Sequence, residues 1–111
     1  MSGEGARTVL SGVQAGAIGD ELREQLVWRT SRLRELTGLV TEVDGDLRQR
    51  TMADLAATER AIAEIKKGLV RLSERDYGQC EDCGTSIPYE RLKIRPLTRH
   101  CMPCRQAREI R

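Results

Sequence analysis

At 111 residues the chain has room for one small domain with an extension, not for two full domains. One Trp, two Tyr and no Phe exclude an aromatic core of ordinary size, and a charged fraction of 32% suits a long solvated helical element better than a globule. The net charge of +2 is too mild for a protein held on DNA mainly by phosphate contacts, and no apolar run approaches the ~20 residues that cross a bilayer.

Residues 1–17 carry Gly3, Gly5, Gly12 and Gly16 among small residues, with Gly19 just beyond. They read as a flexible tail, in which Val9, Leu10 and Val13 could form one helical turn against a partner. The tail has no long apolar run of the kind that directs export, so a cytoplasmic protein is expected.

Asp20 offers an N-cap for the first helix. Leu22, Leu26, Leu33, Leu36, Val40 and Val43 then recur at 4-7-3-4-3 spacing, an a/d stripe interrupted by Arg29. Trp28 lies off that stripe and is expected to pack on the tail or on the C-terminal module. The pattern breaks at Glu42-Val43-Asp44-Gly45-Asp46, where Gly45 lets the chain reverse and Asp46 could cap a second helix with Gln49 at the capping-box position. That helix carries Leu47, Leu55, Ile62, Ile65, Leu69 and Leu72, with Gly68 as a weak spot in an otherwise strongly helix-forming run. Two stripes of similar length around a short polar reversal predict an antiparallel helical hairpin over 18–74, with its tip near 42–47.

All four cysteines lie beyond the hairpin, in Cys80-Glu81-Asp82-Cys83 and Cys101-Met102-Pro103-Cys104. Two C-x2-C knuckles at this separation have the spacing of a four-thiolate zinc site, because each tight turn aims two sulfurs at one ion. Disulfides would need an oxidising compartment, and a thioredoxin-type pair would sit near a βαβ pattern that this chain lacks. Four thiolates complete the coordination sphere, so Cys80, Cys83, Cys101 and Cys104 imply one structural zinc and no zinc-bound water for catalysis. His100, beside Cys101, reads as a surface residue rather than a ligand. Neither an HExxH motif nor a Ser/His/Asp set is present, which argues against an enzyme.

Between the knuckles, Ile87 to Leu92 predicts one helical turn capping the metal with Ile87 and Leu92. Arg95-Pro96 demands extended backbone, and Arg105–Arg111 reads as a terminal helix. The fold class expected is mainly α: a helical hairpin, or coiled coil, joined over 75–111 to a small four-cysteine zinc finger with a short C-terminal helix.

The residues Tyr77-Gly78, Cys80-Glu81, Cys83-Gly84, Ile87-Pro88, Glu90-Arg91-Leu92, Pro96 and Cys101-x-x-Cys104 resemble the zinc finger of the DksA/TraR family. A hairpin ahead of the finger resembles the DksA branch of that family. The resemblance implies a transcription regulator that binds bacterial RNA polymerase and inserts its coiled coil through the secondary channel, bringing an acidic tip near the active-site magnesium. It further implies a monomer without sequence-specific DNA binding or membrane attachment, and raises guanosine tetraphosphate as a co-regulator. Asp44 and Asp46 are the tip carboxylates on this reading. Arg91, Lys93, Arg95, Arg99 and Arg105 form a basic face that could grip an acidic rim. Two departures stand out. The tip reads Asp44-Gly45-Asp46-Leu47, where the DksA signature is Asp-x-x-Asp-x-Ala, and Glu59–Glu64 is more acidic and apolar than the Lys/Arg-rich run of nucleotide-responsive members. The alternative from another class is a zinc-ribbon adaptor that dimerises through its helices and binds protein or nucleic acid.

Overall fold

The computed structural model describes residues 10–74 and 77–110, and among these it contains four helices: α1 (Gly12–Val40), α2 (Gly45–Leu72), α3 (Tyr89–Ile94) and α4 (Met102–Ile110). The two long helices pack antiparallel as a hairpin. With the finger at its base the molecule measures 60 × 36 × 19 Å, a rod rather than a sphere.

The first helix starts earlier than the sequence pattern suggests. Ser11 is its N-cap, its hydroxyl accepting from Gln14 N–H at 3.0 Å while Ser11 N–H donates to the Gln14 side chain at 3.1 Å. This reciprocal pair satisfies two donors that would otherwise be orphaned, so helix formation reaches back to Gly12. Asp20 is therefore not a cap. It sits within α1 and pairs with Arg23 at 2.9 Å on the surface. Of the expected tail, residues 1–9 lie outside the described residues, whereas Leu10 packs against the core and Ile18 is 2% exposed.

At the far end, Asp44 rather than Asp46 occupies the N-cap position of α2, and its side chain makes no capping bond. Gly45 takes φ +60°, the left-handed region where a side chain would be strained, and this lets the chain turn in so few residues. Leu47, expected in the seam, is 48% exposed beside the tip.

The seam that does form runs through Thr51, Leu55, Thr58, Ile62, Ile65, Leu69 and Leu72, an unbroken 4-3 alternation in which Thr51 and Thr58 are buried. Burial of two hydroxyls costs little here. Thr51 donates to Leu47 C=O at 2.7 Å and Thr58 to Asp54 C=O at 2.8 Å, each satisfied within its own helix. On α1, Leu22 and Leu36 are fully buried and Leu26, Leu33 and Val40 half-buried, as is Val43 in the turn that follows. Among the described residues Trp28 packs on neither the finger nor the tail: it is 64% exposed on the outer face of α1, with Arg29 5.5 Å from its ring.

Apolar burial is concentrated at the base. Ile18, Leu22 and Ile65 of the hairpin join Tyr77, Cys80, Ile87, Leu92 and Cys101 of the finger in one cluster, with Leu97 and Leu69 packed against it. Gly68 has a role the sequence hides. A Cβ at this position would come within 2.7 Å of Leu97 Cδ2, so its bare backbone is the notch that receives a finger side chain. Farther out, Leu36 is the large side chain buried at 1% exposure along the rod.

Truncating Leu36 to Ala removes that anchor and should cost about 2–5 kcal/mol, seen as a lower melting temperature by circular dichroism. Thr58→Val, by contrast, leaves no orphaned partner, because Asp54 C=O keeps its helical bond. Stability should hold or rise by up to ~1 kcal/mol. A sharp loss in Thr58→Val would mean its hydroxyl serves the neighbouring helix.

Candidate metal centre

Each knuckle is built by short-range backbone bonding. Gly78 and Gly84 take φ +86° and +77°, Cys80 N–H donates to Thr85 C=O at 2.9 Å, and Gly84 N–H donates to Cys80 C=O at 2.9 Å. Gln79 and Ser86 form an antiparallel bridge, closing a tight loop around the first pair of cysteines. The second pair spans the start of α4, where Arg105 N–H donates to Cys101 C=O at 2.9 Å. Glu81 N–H donates to Arg99 C=O at 2.8 Å and ties the two knuckles together.

The four sulfurs converge. All lie within 4.8 Å of one another, and Cys83 Sγ is 3.7 Å from Cys101 Sγ. A tetrahedral zinc ion with Zn–S bonds of about 2.3 Å requires sulfurs about 3.8 Å apart, so the donor set fits a single ion. Cys80 and Cys101 are buried at 3% and 8% exposure, while Cys83 faces solvent. His100 is not in the cluster. Its Nε2 lies 3.8 Å from Asp82 Oδ1, as expected for a residue beside the knuckle rather than a ligand.

The proton affinities of the thiols are split. Burial raises Cys80, but backbone N–H groups of Cys101, Cys83 and Asp82 outweigh it and lower the thiol to about 6. The Thr85 hydroxyl and N–H hold Cys83 below its ordinary value. Cys101 gains from the Cys104 N–H, yet burial and the thiols of Cys83 and Cys80 push it up. Cys104 is pushed far up by hydrogen bonding to the sulfurs of Cys101, Cys83 and Cys80. Four adjacent sulfurs cannot all ionise unaided, and a divalent cation at their centre resolves that conflict.

Two further contacts fix the finger to its surroundings. Tyr77, 6% exposed, donates its hydroxyl to Pro96 C=O at 2.6 Å, bridging the start of the finger to the extended Arg95-Pro96 segment. Arg99 reaches Glu64 of α2 at 3.1 Å and Glu81 of the knuckle at 3.7 Å. Neither was anticipated from the sequence, because both link positions far apart along the chain.

Three of the five expected basic-face residues have acidic partners within the molecule. Lys93 pairs with Glu90 at 3.1 Å, Arg105 with Glu109 at 3.1 Å, and Arg99 is engaged as above. Arg95 and Arg105 line a cleft of about 370 Å³ with Gln25, Leu97 and Thr98, between the hairpin and the finger. Arg91 lines a different groove, beside three of the cysteines. At the opposite end of the molecule Asp44 and Asp46 are exposed, and among the described residues neither carboxylate has an ion-pair partner.

The family model described as prokaryotic dksA/traR C4-type zinc finger matches residues 75–109. The RNA polymerase-binding transcription factor DksA of Escherichia coli (strain K12) is 38% identical over 52 residues, which cover 47% of this chain and 34% of that protein. The protein of the same description from Buchnera aphidicola subsp. Acyrthosiphon pisum is 33% identical over 66 residues, covering 60% of this chain and 40% of the relative. The chain thus spans well under half the length of the curated relatives it matches. The structure of transcription factor DksA2 from Pseudomonas aeruginosa superposes with a TM-score of 0.81 at 24% identity, covering 89% of this chain and 85% of that one. The likeness shows a shared fold, a helical hairpin on a zinc finger. The four cysteines, close together within a C4-type zinc-finger match, fit the ligand set of one structural zinc.

Purified protein should carry one zinc per chain by elemental analysis. Cys83→Ser should lower that content and unfold the finger while much of the hairpin's helicity survives. Affinity should fall as pH drops toward about 5, since protons compete for the thiolates.

Tyr77 gives a separate test at the other end of the pH scale. Burial raises its phenol from 10.0 to about 12, with Arg71 pulling the other way. A raised folded-state value means its contribution is fully present below pH 10 and lost as pH climbs through about 12. Absorbance at 295 nm should show one tyrosine ionising late, and Tyr77→Phe should abolish that step.

Proposed function

From the premise that this chain is a DksA-like protein carrying a dksA/traR-type C4 zinc finger, we propose that it binds bacterial RNA polymerase and regulates transcription. It does so as a structural probe. The hairpin enters the secondary channel, the finger holds the rim, and the tip carboxylates come near the catalytic magnesium. The observation that carries this reading is the pair Asp44 and Asp46, exposed at the end of a rod, with side chains that make no cap. Had the two acids served only the turn, Asp44 would be expected to accept from the first N–H groups of α2. Hard divalent cations favour such oxygen donors and the field they create.

No catalytic step is assigned to this chain. Its action is electrostatic and steric, and it works where the polymerase works, in the cytoplasm. Packing of α1 against α2 within one chain favours a monomer over the adaptor that dimerises through its helices, since the leucine seams already face each other. Guanosine tetraphosphate, the co-regulator implied by the resemblance, would meet Arg95 and Arg105 across the cleft at the hairpin's base, where two cations can hold phosphate.

The double change Asp44→Asn/Asp46→Asn separates tip charge from tip shape. Asn adopts the same turn and cap conformations as Asp, so folding and polymerase binding should match wild type. The effect on transcription in vitro should fall severalfold or more. Full activity in this variant would remove the carboxylates from the mechanism and leave channel occupation alone. A failure to bind core polymerase at all, measured by pull-down with a channel-blocking competitor, would sink the reading.

A further inference from the structure

The apolar cluster at the base holds finger and hairpin together, yet hydrophobic contact has no direction of its own. What gives the joint an angle is a pair of contacts about one helical turn apart on α2. Leu97 seats against Gly68, where an added Cβ would lie 2.7 Å from its Cδ2, and Arg99 pairs with Glu64 at 3.1 Å. Residues spaced as Glu64 and Gly68 are share one face of a helix, about 6 Å apart along its axis. A single contact would leave a pivot, whereas two fix a direction. On the other arm of the hairpin, α3 lies against α1.

The finger's side of this pair of contacts is stiff. Proline fixes its own φ, and the C=O of buried Pro96 accepts from the Tyr77 hydroxyl at 2.6 Å. Thr98 N–H donates to Arg95 C=O at 3.1 Å, closing a turn around Leu97. Arg99 is held twice more, its side chain 3.7 Å from Glu81 and its C=O accepting from Glu81 N–H at 2.8 Å. The hairpin's side has little slack either: the same added Cβ would lie 3.7 Å from Leu22 Cδ1, so α1 bounds the notch as well. We infer that Leu97 in the Gly68 notch and Arg99 on Glu64 form a two-point clamp that sets the direction of the rod from the finger, and with it the place of the tip carboxylates.

The lever is long. From Gly68 to Asp46 the helix rises about 33 Å, whereas the two points of the clamp stand only about 6 Å apart. A 2.7 Å approach falls about 1 Å short of ordinary van der Waals contact. Relieving that overlap at one point would swing the axis by about 10° and carry the tip about 5 Å. Carboxylate oxygens hold divalent cations at roughly 2.0–2.6 Å, so a displacement of that size takes a tip carboxylate out of reach of an ion it was placed to meet. What the displacement does to transcription rests on the polymerase reading above; the angle itself is a property of the free chain. Gly68, Leu97, Glu64 and Arg99 are positioning residues, acting on the tip through the rod.

The test compares variants of the full, zinc-loaded chain by residual dipolar couplings, which report the angle between hairpin and finger without any partner. Gly68→Leu should swing the rod by about 10° or more from its wild-type direction. Gly16→Leu is the control: it adds the same side chain to α1 where a Cβ meets nothing within 4 Å, and the direction should not change. Gly68→Leu/Leu97→Ala returns a single leucine to the notch from the opposite side and should recover most of the wild-type angle. An unchanged angle in Gly68→Leu would mean that Leu97 only turns aside, and overturns the inference. So does a double variant displaced as far as the single one. If Gly68→Leu fails to fold, Gly68→Ala makes the same comparison with a smaller swing. Transcription in vitro then reads the consequence. Gly68→Leu should bind core polymerase within a few-fold of wild type and lose its regulatory effect severalfold, and the double variant should regain it. Full effect from a displaced rod would cut the link between clamp and tip. A wild-type chain that fails to bind polymerase would count against the function proposed above, while the couplings of the free chain still decide the clamp.

Discussion

Everything in this molecule hangs on bringing four sulfurs to one point. The finger's own buried apolar side chains are few, chiefly Tyr77, Ile87 and Leu92 beside the cysteines. So small a set cannot order more than thirty residues against their conformational entropy. Metal binding of about 10–16 kcal/mol, typical of small zinc fingers, is large enough to change that balance. The local geometry follows from the need to aim thiolates: glycines at positive φ after the turns, N–H groups directed at Cys80, and a hydroxyl at Cys83. Even α4 is placed this way, since it begins at the second knuckle and is pinned again where Arg108 clasps Asp82.

Because the finger is fixed by metal, it can in turn fix the hairpin. The joint between them is apolar and shape-dependent. Leu97 fills the notch at Gly68, Leu22 and Ile65 meet Leu92 and Ile87 in one cluster, and Arg99 spans from Glu64 to Glu81. The surface ion pairs along the helices, such as Asp20–Arg23 and Arg32–Glu35, are solvent-exposed and add little to this. The direction of the rod relative to the finger is thus set by a few close contacts at one end, and its stiffness by the seam.

The parts legible in the sequence were those with local signals. Cysteine spacing announced the metal site, apolar periodicity announced two helices, and Gly45 announced the reversal. What escaped had physical reasons for escaping. Thr51 and Thr58 look polar, yet each hides its hydroxyl against its own helix and so completes a heptad seam that an apolar search breaks. Gly68 looks like a helix defect until Leu97, distant in sequence, is seen to need the space. Ser11 and Gln14 did carry a capping-box pattern, and the glycines around them drew the reading toward a tail instead. Trp28 was expected inside because large aromatics usually are; here the finger that could have covered it sits at the base, occupied with Leu22 and Ile18. Of the expected basic face, Lys93, Arg99 and Arg105 have carboxylate partners within the molecule, and the Arg99–Glu64 pair joins positions too far apart along the chain to be read from it.

The turn at the far end bears on how such a protein can change over generations. Its carboxylates hold no part of the fold in place, Leu47 beside them lies outside the seam, and Gly45 alone is bound to its conformation. Substitutions at Asp44, Asp46 and Leu47 therefore meet almost no resistance from folding. Selection on those positions is released from the demands of folding, so a departure from a relative's tip sequence leaves the scaffold undamaged. The same rod can be re-tipped while its foundation stays untouched.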